Sequence, residues 1–247
     1  MRLLGVIPAR LGSTRLPNKP LQLLASAPLV PHDLDRVRQL GIVEELVVAT
    51  DSPMVVEVVA RTDTPAVLTR SDHPSGSDRV AEVAALPAYR DFDVIVNLQG
   101  DEPFLSVEAL AGAVERVRSG DDIGTAAAPL DAAQAADPAR VKVVTDVRGR
   151  ALYFSRAPIP FRRDPEGGTE GLYWQHIGLY AWTRDALERW AAFPPTRAEA
   201  AEKLEQLRAL ENGLTIGVTR LREPALPGID TPEDLRRAEG IWRSQRG

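Results

Sequence analysis

The stretch LLGVIPARLGSTRLPNKP, residues 3–20, joins an apolar run to a polar loop. Leu3–Ile7 is short, apolar and ended by Pro8, which is typical of a buried strand. Two similar runs, Glu45–Ala49 and Asp93–Leu98, follow it along the chain. Strands that are apolar throughout are buried on both faces, as in the parallel sheets of α/β proteins. The stretch therefore predicts the first strand of a parallel sheet, with a loop at its carboxyl end.

Helical patterns between and after these runs indicate the same architecture. They cover Leu34–Leu40, Met54–Arg61, Asp78–Leu86 and Val107–Val117. Strands that alternate with helices are typical of a parallel sheet with helices packed on its faces. The predicted fold class is therefore α/β, with a mixed, mostly parallel sheet flanked by helices.

The pattern changes after about residue 120, where short strand patterns follow one another. These strands are predicted at Ile123–Pro129, Val141–Asp146, Ala151–Phe154 and His176–Trp182, with a hairpin turn at 147–150 and a shortened hairpin at Gly167–Gly168. They predict an antiparallel flap over about 121–185. The return to the sheet, 186–247, is predicted to contain helices at Arg184–Trp190, Ala198–Glu211 and Thr231–Arg243 and a strand at Thr215–Thr219. We expect one domain over 1–247.

Composition excludes several classes of protein. The 247 residues are 44% hydrophobic, which is enough for a proper core, and they include no cysteine. Disulfide frameworks and thiolate metal sites are therefore impossible. The net charge of −5 argues against a general nucleic-acid binder, which would carry a basic excess. No apolar run approaches the roughly 20 residues that span a bilayer, and no signal peptide is recognisable, so we expect a cytoplasmic protein without membrane segments.

The polar loop after the first predicted strand lies where open α/β folds bind ligands. It carries Arg10, Arg15 and Lys19, separated by small residues that let backbone amides approach an anion. Its glycine spacing matches neither the dinucleotide fingerprint nor the Walker A loop. Two interpretations stay open at this point, a polyphosphate-binding loop and an ordinary basic surface loop.

Acidic residues follow the strand that ends near Leu98. Gly100 allows a tight turn, after which Asp101 and Glu102 lie at the carboxyl edge of the sheet, and Asp230 precedes the last predicted helix. In a chain without cysteine, such carboxylates would hold a hard cation, most simply Mg²⁺. The alternative is that all three acids only cap the helices that follow them.

Eight segments together resemble the 3-deoxy-manno-octulosonate (Kdo) cytidylyltransferase family. They are IPARLGSTRLPNKPL at 7–21, LTRSDHPSGSDRVAE at 68–82, VNLQGDEP at 96–103, VKVV at 141–144, ALYFSRAPIP at 151–160, HIGLY at 176–180, LEQLR at 204–208 and GIDTPEDL at 228–235. The resemblance implies a nucleotide-diphospho-sugar transferase-like fold, a homodimer whose contacts include the flap, and transfer of CMP from CTP to an acidic octulosonate sugar. The first 120 residues would mainly bind CTP.

The resemblance also implies roles for individual residues. The nucleotide would be bound by Pro8, Ala9, Arg10, Lys19, Ser75, Gly76, Arg79 and Gln99. The sugar would be bound by Gln99, Arg156, Arg163, His176, Tyr180, Glu205 and Gln206, with Arg156 or Arg163 at its carboxylate. Mg²⁺ would be held by Asp101 and Asp230, and the catalytic residues would be Arg10, Lys19, Asp101 and Asp230.

Without the resemblance, the sugar-side residues have structural interpretations. His176 is then a core histidine, Tyr180 a buried anchor in its strand, and Glu205 and Gln206 the solvated edge of an apolar helix. Three rival functions also stay open. They are a cytidylyltransferase for 8-amino-Kdo or a sialic acid, a non-catalytic nucleotide-sugar binder, and a nicotinamide-dependent oxidoreductase, although the last lacks a glycine-rich fingerprint.

Overall fold

A computed structural model of the chain describes residues 1–13, 15–164, 168–226 and 228–246. Its internal contacts define two compact units. Unit 1 contains Met1–Ser106 and Leu226–Gly247, and unit 2 contains Val107–Ala225. The single domain expected over 1–247, with its internal limits near 120 and 185, stays a prediction. Gly167 of the predicted shortened hairpin lies outside the described residues.

The secondary structure alternates between strands and helices along most of the chain. The strands are β1 (Leu3–Ala9), β2 (Leu23–Leu24), β3 (Ala27–Pro28), β4 (Glu45–Thr50), β5 (Ala66–Leu68), β6 (Val94–Asn97), β7 (Ile123–Leu130), β8 (Lys142–Thr145), β9 (Ala151–Ser155), β10 (Tyr173–Thr183) and β11 (Ile216–Arg220). The α-helices are α1 (Leu29–Leu40), α2 (Pro53–Val59), α3 (Gly76–Ala84), α4 (Val107–Arg118), α5 (Ala132–Ala135), α6 (Arg184–Ala192), α7 (Arg197–Glu202), α8 (Gln206–Glu211) and α9 (Pro232–Arg246).

Unit 1 contains parallel strands in the order β6-β1-β4-β5. β1 is buried along nearly its whole length, because it is flanked on one side by β4 and on the other by β6. This confirms the mixed α/β fold class and the interpretation of its apolar runs as buried parallel strands. The loops that follow β1, β4 and β6 all leave the same carboxyl edge of the sheet, which is the edge where such folds bind ligands.

Unit 2 contains the predicted antiparallel strands. β10 is antiparallel to β7 and to β8, β8 is antiparallel to β9, and β11 pairs with β7 in parallel. The β8–β9 turn contains Gly149, whose φ of 77° lies in the left-handed region that glycine adopts most readily. Gly124 in β7 allows a close approach of α4, since a Cβ there would lie 1.8 Å from the Ala113 carbonyl oxygen. Within the described parts of the chain, no helix is long and apolar enough to cross a membrane.

The single helix predicted over Ala198–Glu211 was wrong, because the structure has two helices there. Helix α7 begins with a capping box formed by Thr196 and Glu199 and ends at Lys203, whose φ is 55°. A residue in this left-handed conformation cannot continue a right-handed helix. Helix α8 then starts at Gln206. Leu204, Leu207 and Leu210 follow a helical spacing that begins in the link itself, so periodicity alone gave no sign of the interruption.

A buried acid in α1 lacks the hydrogen bonds that normally accompany burial. Asp33 is 2% exposed, and neither carboxylate oxygen has a hydrogen-bond partner among the described residues. Burial, and after it the charges of Asp101 and Glu102, raises the pKa of Asp33 well above its ordinary value. A buried polar group without partners destabilises the folded state, so Asp33 is a weak point of unit 1.

Replacing Asp33 with valine should therefore increase the free energy of unfolding, by about 1–3 kcal/mol at neutral or higher pH. The folded-state pKa lies above the unfolded one, so the wild type loses stability as the pH rises from the unfolded pKa towards the folded pKa. The variant has no such loss. Urea unfolding at about pH 5 and about pH 8 should show a larger advantage of Asp33→Val at the higher pH.

The exposed Asp35 on the same helix provides the control, because Asp35→Val removes an equal charge without relieving burial. A stability gain for Asp33→Val that is equal at both pH values would show that Asp33 is not held protonated by its surroundings.

Candidate active site

Three loops of unit 1 meet at the end of β1. A Cβ on Gly76, at the start of α3, would lie 3.4 Å from the Pro8 ring. A Cβ on Gly100, in the loop after β6, would lie 3.2 Å from the Pro8 carbonyl oxygen. A larger residue at Gly100 would therefore press against the backbone of β1. The absence of a side chain there lets the acidic loop after β6 approach the basic loop after β1.

The ammonium of Lys19 lies between two carboxylates. Its Nζ donates to Oδ2 of Asp101 at 2.5 Å and to Oδ1 of Asp230 at 2.8 Å. A backbone hydrogen bond of 2.9 Å from the Ile229 amide to the Asp101 carbonyl holds the two acidic segments side by side. Arg15 also reaches Asp230, with Nη2 3.0 Å from Oδ2. The structure thus brings together three of the four predicted catalytic residues, Lys19, Asp101 and Asp230.

The pKa values of this cluster reflect both burial and charge. Burial alone would lower the pKa of Lys19, but Asp101 and Asp230 raise it overall. Burial raises the pKa of Asp101, although Lys19 opposes this. Burial also acts to raise the pKa of Asp230, but hydrogen bonds and charge from Lys19 and Arg15 lower it. Glu102, half-buried after Asp101, has its pKa raised to about 8 by loss of solvation and then by the charges of Asp101 and Asp230.

The two carboxylates fit a hard divalent cation. One oxygen of each lies within 2.8 Å of a single positively charged nitrogen, so both already face one cationic position. Oxygen ligands from one or two carboxylates, completed by phosphates and water, are what Mg²⁺ prefers. Among the described residues, no group of three or more acids or histidines is arranged to hold a metal. Substrate oxygens would therefore have to complete the coordination.

The other predicted nucleotide residues differ in what they contact. Arg10 is exposed just after β1 and makes no ion pair with any residue that the structure describes. Ser75 caps α3, with its Oγ accepting from the Asp78 amide. Arg79 is 2% exposed and its guanidinium pairs with Asp51 at 2.9 Å, so its observed contacts are internal to the fold. Gln99 is half-buried directly after β6.

Three predicted sugar-side residues of unit 2 are connected by a line of aromatic contacts and one hydrogen bond. The ring of His176 lies 5.4 Å from that of Tyr180, which lies 5.8 Å from Trp182. Trp182 contacts Trp190 at 5.5 Å, and the Trp190 indole nitrogen donates to the Glu205 carbonyl at 3.4 Å. His176 is 8% exposed, and burial lowers its pKa to about 3, so the ring is neutral at physiological pH. The structure thus links His176, Tyr180 and Glu205.

The remaining sugar-side predictions have separate surroundings. Gln206 is 3% exposed at the start of α8. Arg163 is exposed and makes no ion pair within the described ranges. The Arg156 guanidinium donates to three backbone carbonyls, those of Pro138, Glu202 and Lys203. Three of its five N–H donors are thus directed at the protein itself, and the predicted contact with a sugar carboxylate stays a prediction.

Comparison with known proteins shows the family of this chain. A sequence model of the cytidylyltransferase family matches residues 4–216. A 3-deoxy-manno-octulosonate cytidylyltransferase of Gemmatimonas aurantiaca is 55% identical over 245 residues, covering 98% of this chain and 95% of the relative. The chain belongs to the 3-deoxy-manno-octulosonate cytidylyltransferase family. A second member, from Anaeromyxobacter sp., is 46% identical, with 97% of this chain and 96% of the relative covered.

Solved structures place the family's fold on this chain. A CMP:2-keto-3-deoxy-manno-octonic acid synthetase in complex with CTP matches with a TM-score of 0.91 and 38% identity, covering 99% of this chain and all of the other. A 4-diphosphocytidyl-2C-methyl-D-erythritol synthase from Anaerococcus prevotii matches with a TM-score of 0.62 at 14% identity, with 98% of each chain covered. That second likeness shows the fold alone.

Sequence reasoning did not assign roles to two charged residues of the cluster. Arg15 was recognised as part of the basic loop, but nothing in its spacing indicated a pairing with Asp230, 215 residues away. Glu102 was considered together with Asp101 as a possible cation ligand, but its partial burial near both Asp101 and Asp230, which raises its pKa, was not predicted. Burial depends on the tertiary structure, and adjacency in sequence is a poor guide to it.

Proposed function

We propose that this protein transfers CMP from CTP to Kdo, giving CMP-Kdo and pyrophosphate, the activated sugar for lipopolysaccharide synthesis. The observation that carries the proposal is the pair of carboxylates, Asp101 and Asp230, sharing one lysine at the carboxyl edge of parallel strands. Membership of the family and the likeness to a synthetase in complex with CTP support the choice of substrates.

The basic loop after β1 would neutralise negative charge on the phosphates of the reactants. The anomeric hydroxyl of the sugar attacks the α-phosphorus of CTP in line, forming one P–O bond as the bond to pyrophosphate breaks and the hydroxyl proton is released. Arg10, which is exposed and unpaired within the described residues, is available to bind phosphate oxygens. Lys19 would stabilise the departing pyrophosphate. Such fixed charges are most effective in a site with restricted access to water.

Asp101 and Asp230 are the residues proposed to hold Mg²⁺. When bound there, Mg²⁺ would neutralise phosphate charge and lower the pKa of the attacking hydroxyl. The Lys19 ammonium contacts the same two carboxylates, which limits their mutual repulsion.

Unit 2 would provide the sugar's hydrogen-bonding partners. His176, neutral because of its burial, can accept or donate a hydrogen bond without adding charge near an anionic sugar. Glu205 and Gln206 add a carboxylate and an amide at the start of α8. Buried polar groups arranged for particular hydroxyls are left unpaired by a wrong sugar, which is the physical basis of selectivity.

Glu205→Ala should raise the Michaelis constant for Kdo about ten-fold while changing that for CTP less than about two-fold, because a carboxylate here accepts from sugar hydroxyls. Steady-state kinetics with each substrate varied in turn measures both constants. The exposed Glu188 on α6 gives a matched control, Glu188→Ala. Equal effects on both substrates would place Glu205 on the structural face of its helix.

A pyrophosphate-release assay over a panel of nucleotides and acidic sugars tests the proposed function directly. We expect release with CTP and Kdo and little with ATP, GTP or UTP. Efficient release with 8-amino-Kdo or a sialic acid in place of Kdo would assign the chain to that substrate instead. Binding of CTP without any release would favour a non-catalytic nucleotide-sugar binder.

We also propose that the protein is a cytoplasmic homodimer. Three large apolar side chains of unit 2 support a partner surface, since Leu152 is 62%, Tyr153 38% and Phe161 84% exposed. Leu152 and Tyr153 lie on β9, which pairs with β8 along one side. Exposed apolar side chains next to a strand edge are typical of surfaces that a second chain covers. Sedimentation equilibrium at twice the chain mass would support the dimer, and a monomer would contradict it.

A further inference from the structure

We propose that Arg156 is a positioning residue that fixes the link between α7 and α8, and through it Glu205 and Gln206, against the sugar. The inference deepens the proposed function and rests on it. The geometry of the guanidinium, of the link and of the surrounding network supports it in turn.

The Arg156 guanidinium is committed to backbone acceptors. Its Nε donates to the Glu202 carbonyl at 2.7 Å, Nη1 donates to the Pro138 carbonyl at 2.9 Å, and Nη2 donates to the Lys203 carbonyl at 3.4 Å. We call these three acceptors the carbonyl cluster. The planar fork of arginine matches several acceptors in fixed directions, which the single ammonium of a lysine cannot do. These bonds engage three of the five N–H donors of the guanidinium.

The carbonyl cluster lies where the chain most needs support. Lys203 has a φ of 55°, a conformation that costs a residue with a side chain free energy. Glu202 and Lys203, which supply two of the three carbonyls, are followed within three residues by Glu205 and Gln206. Fixing these carbonyls therefore fixes the direction in which α8 begins.

Side chains reinforce the same link from β9. The Glu202 carboxylate accepts from the Ser155 hydroxyl at 2.6 Å and from the Arg156 amide at 2.9 Å. Lys142, which is fully buried, donates to the Asp137, Arg140 and Arg156 carbonyls at 2.9, 2.5 and 2.6 Å. The backbone and the side chain of Arg156 are thus both held in place. A rigid support of this kind is what a binding group needs to stay within a fraction of an ångström of its ligand.

A second contact fixes the other side of Glu205. The Trp190 indole donates to the Glu205 carbonyl at 3.4 Å, and the Arg208 guanidinium stacks on that indole at 4.2 Å. Arg208 is itself paired with Glu199 of α7 at 2.6 Å. The start of α8 is therefore held from α6 as well as from β9, and Arg156 provides the β9 side.

A double-mutant cycle between Arg156→Met and Glu205→Ala tests the inference. Alone, Arg156→Met should raise the Michaelis constant for Kdo about ten-fold and leave that for CTP nearly unchanged. In the Glu205→Ala background, Arg156→Met should raise the Michaelis constant for Kdo only about three-fold or less, because the effects of residues that act as one unit are not additive. Arg156→Lys should raise the Michaelis constant for Kdo about as much as Arg156→Met does, because lysine keeps the positive charge but lacks the planar guanidinium. Arg189→Met on α6 is the matched control for loss of a surface arginine.

Amide hydrogen exchange adds a readout that does not depend on activity. Peptides covering 202–207 should exchange faster in Arg156→Lys than in wild type or Arg189→Lys. If Arg156→Met does not fold, Ser155→Ala, which removes one bond to Glu202, should show a smaller rise in the Michaelis constant for Kdo with the same non-additivity.

Fully multiplicative effects of the two substitutions on the Michaelis constant, rescue by Arg156→Lys, or unchanged exchange over 202–207 would overturn the inference. If instead wild type releases no pyrophosphate from CTP and Kdo while exchange responds as expected, the proposed function fails and the structural role of Arg156 stands.

Discussion

Asp101→Asn should lower turnover about 10³-fold, equivalent to about 4 kcal/mol of transition-state stabilisation, with the fold intact. The change is nearly isosteric but removes one of two negative charges that face a common cation. Lys19 keeps its contact with Asp230, so the loop after β1 should stay in place. Steady-state pyrophosphate release over a range of Mg²⁺ concentrations measures the loss, and a thermal melt checks the fold.

The exposed Asp91 in the same unit provides the matched control, since Asp91→Asn makes the same chemical change away from the cluster. Near-normal turnover of Asp101→Asn at low millimolar Mg²⁺ would rule out Asp101 as a metal ligand. A large fall in the melting temperature together with the loss of turnover would instead show that Asp101 supports the fold.

Lys19→Ala should lower turnover about 10²–10³-fold, the range found when one donor to a developing negative charge is removed. CTP affinity, measured by calorimetry, should fall by much less, because the charge on the leaving pyrophosphate grows in the transition state. The structure adds a second expectation. Without the ammonium, Asp101 and Asp230 repel each other, so the variant should be less stable in a chelator and recover stability when Mg²⁺ is added.

Arg61→Ala is the control, because it removes an exposed cation just after α2 in the same unit. Loss of CTP binding together with normal turnover at saturating CTP would contradict the transition-state role of Lys19. Equal melting temperatures with chelator and with Mg²⁺ would contradict its role as a counter-charge.

The sequence could predict those parts of the fold in which burial leaves a pattern. β1, β4 and β6 are apolar on both faces and were found almost to the residue. β5 has only three residues and was missed, since so short a run has no period. The break at Lys203 was not predicted because its cause is the backbone conformation of one residue, which residue spacing does not reveal.

The site was predictable where it consists of side chains at strand ends. Asp101 and Asp230 were predicted to hold Mg²⁺ and Lys19 to hold phosphate, roles that stay predictions, and the structure brings these three side chains together. The contacts of Arg156 were not predictable, because its acceptors are backbone carbonyls, which every residue has. The burial of Arg79 against Asp51 was not predictable either, because a pair of residues 28 positions apart produces no local sequence pattern.

Unit 1 is assembled from two separated parts of the chain, with Asp101 in the first part and Asp230 in the second. During synthesis the amino-terminal part emerges first and can begin to fold while the rest is still being made. A nascent chain can therefore pair Lys19 with Asp101 long before Asp230 has been translated. If Asp230 holds the metal as proposed, a message cut short between codons 102 and 230 would yield protein that carries Lys19 and Asp101 but cannot turn over.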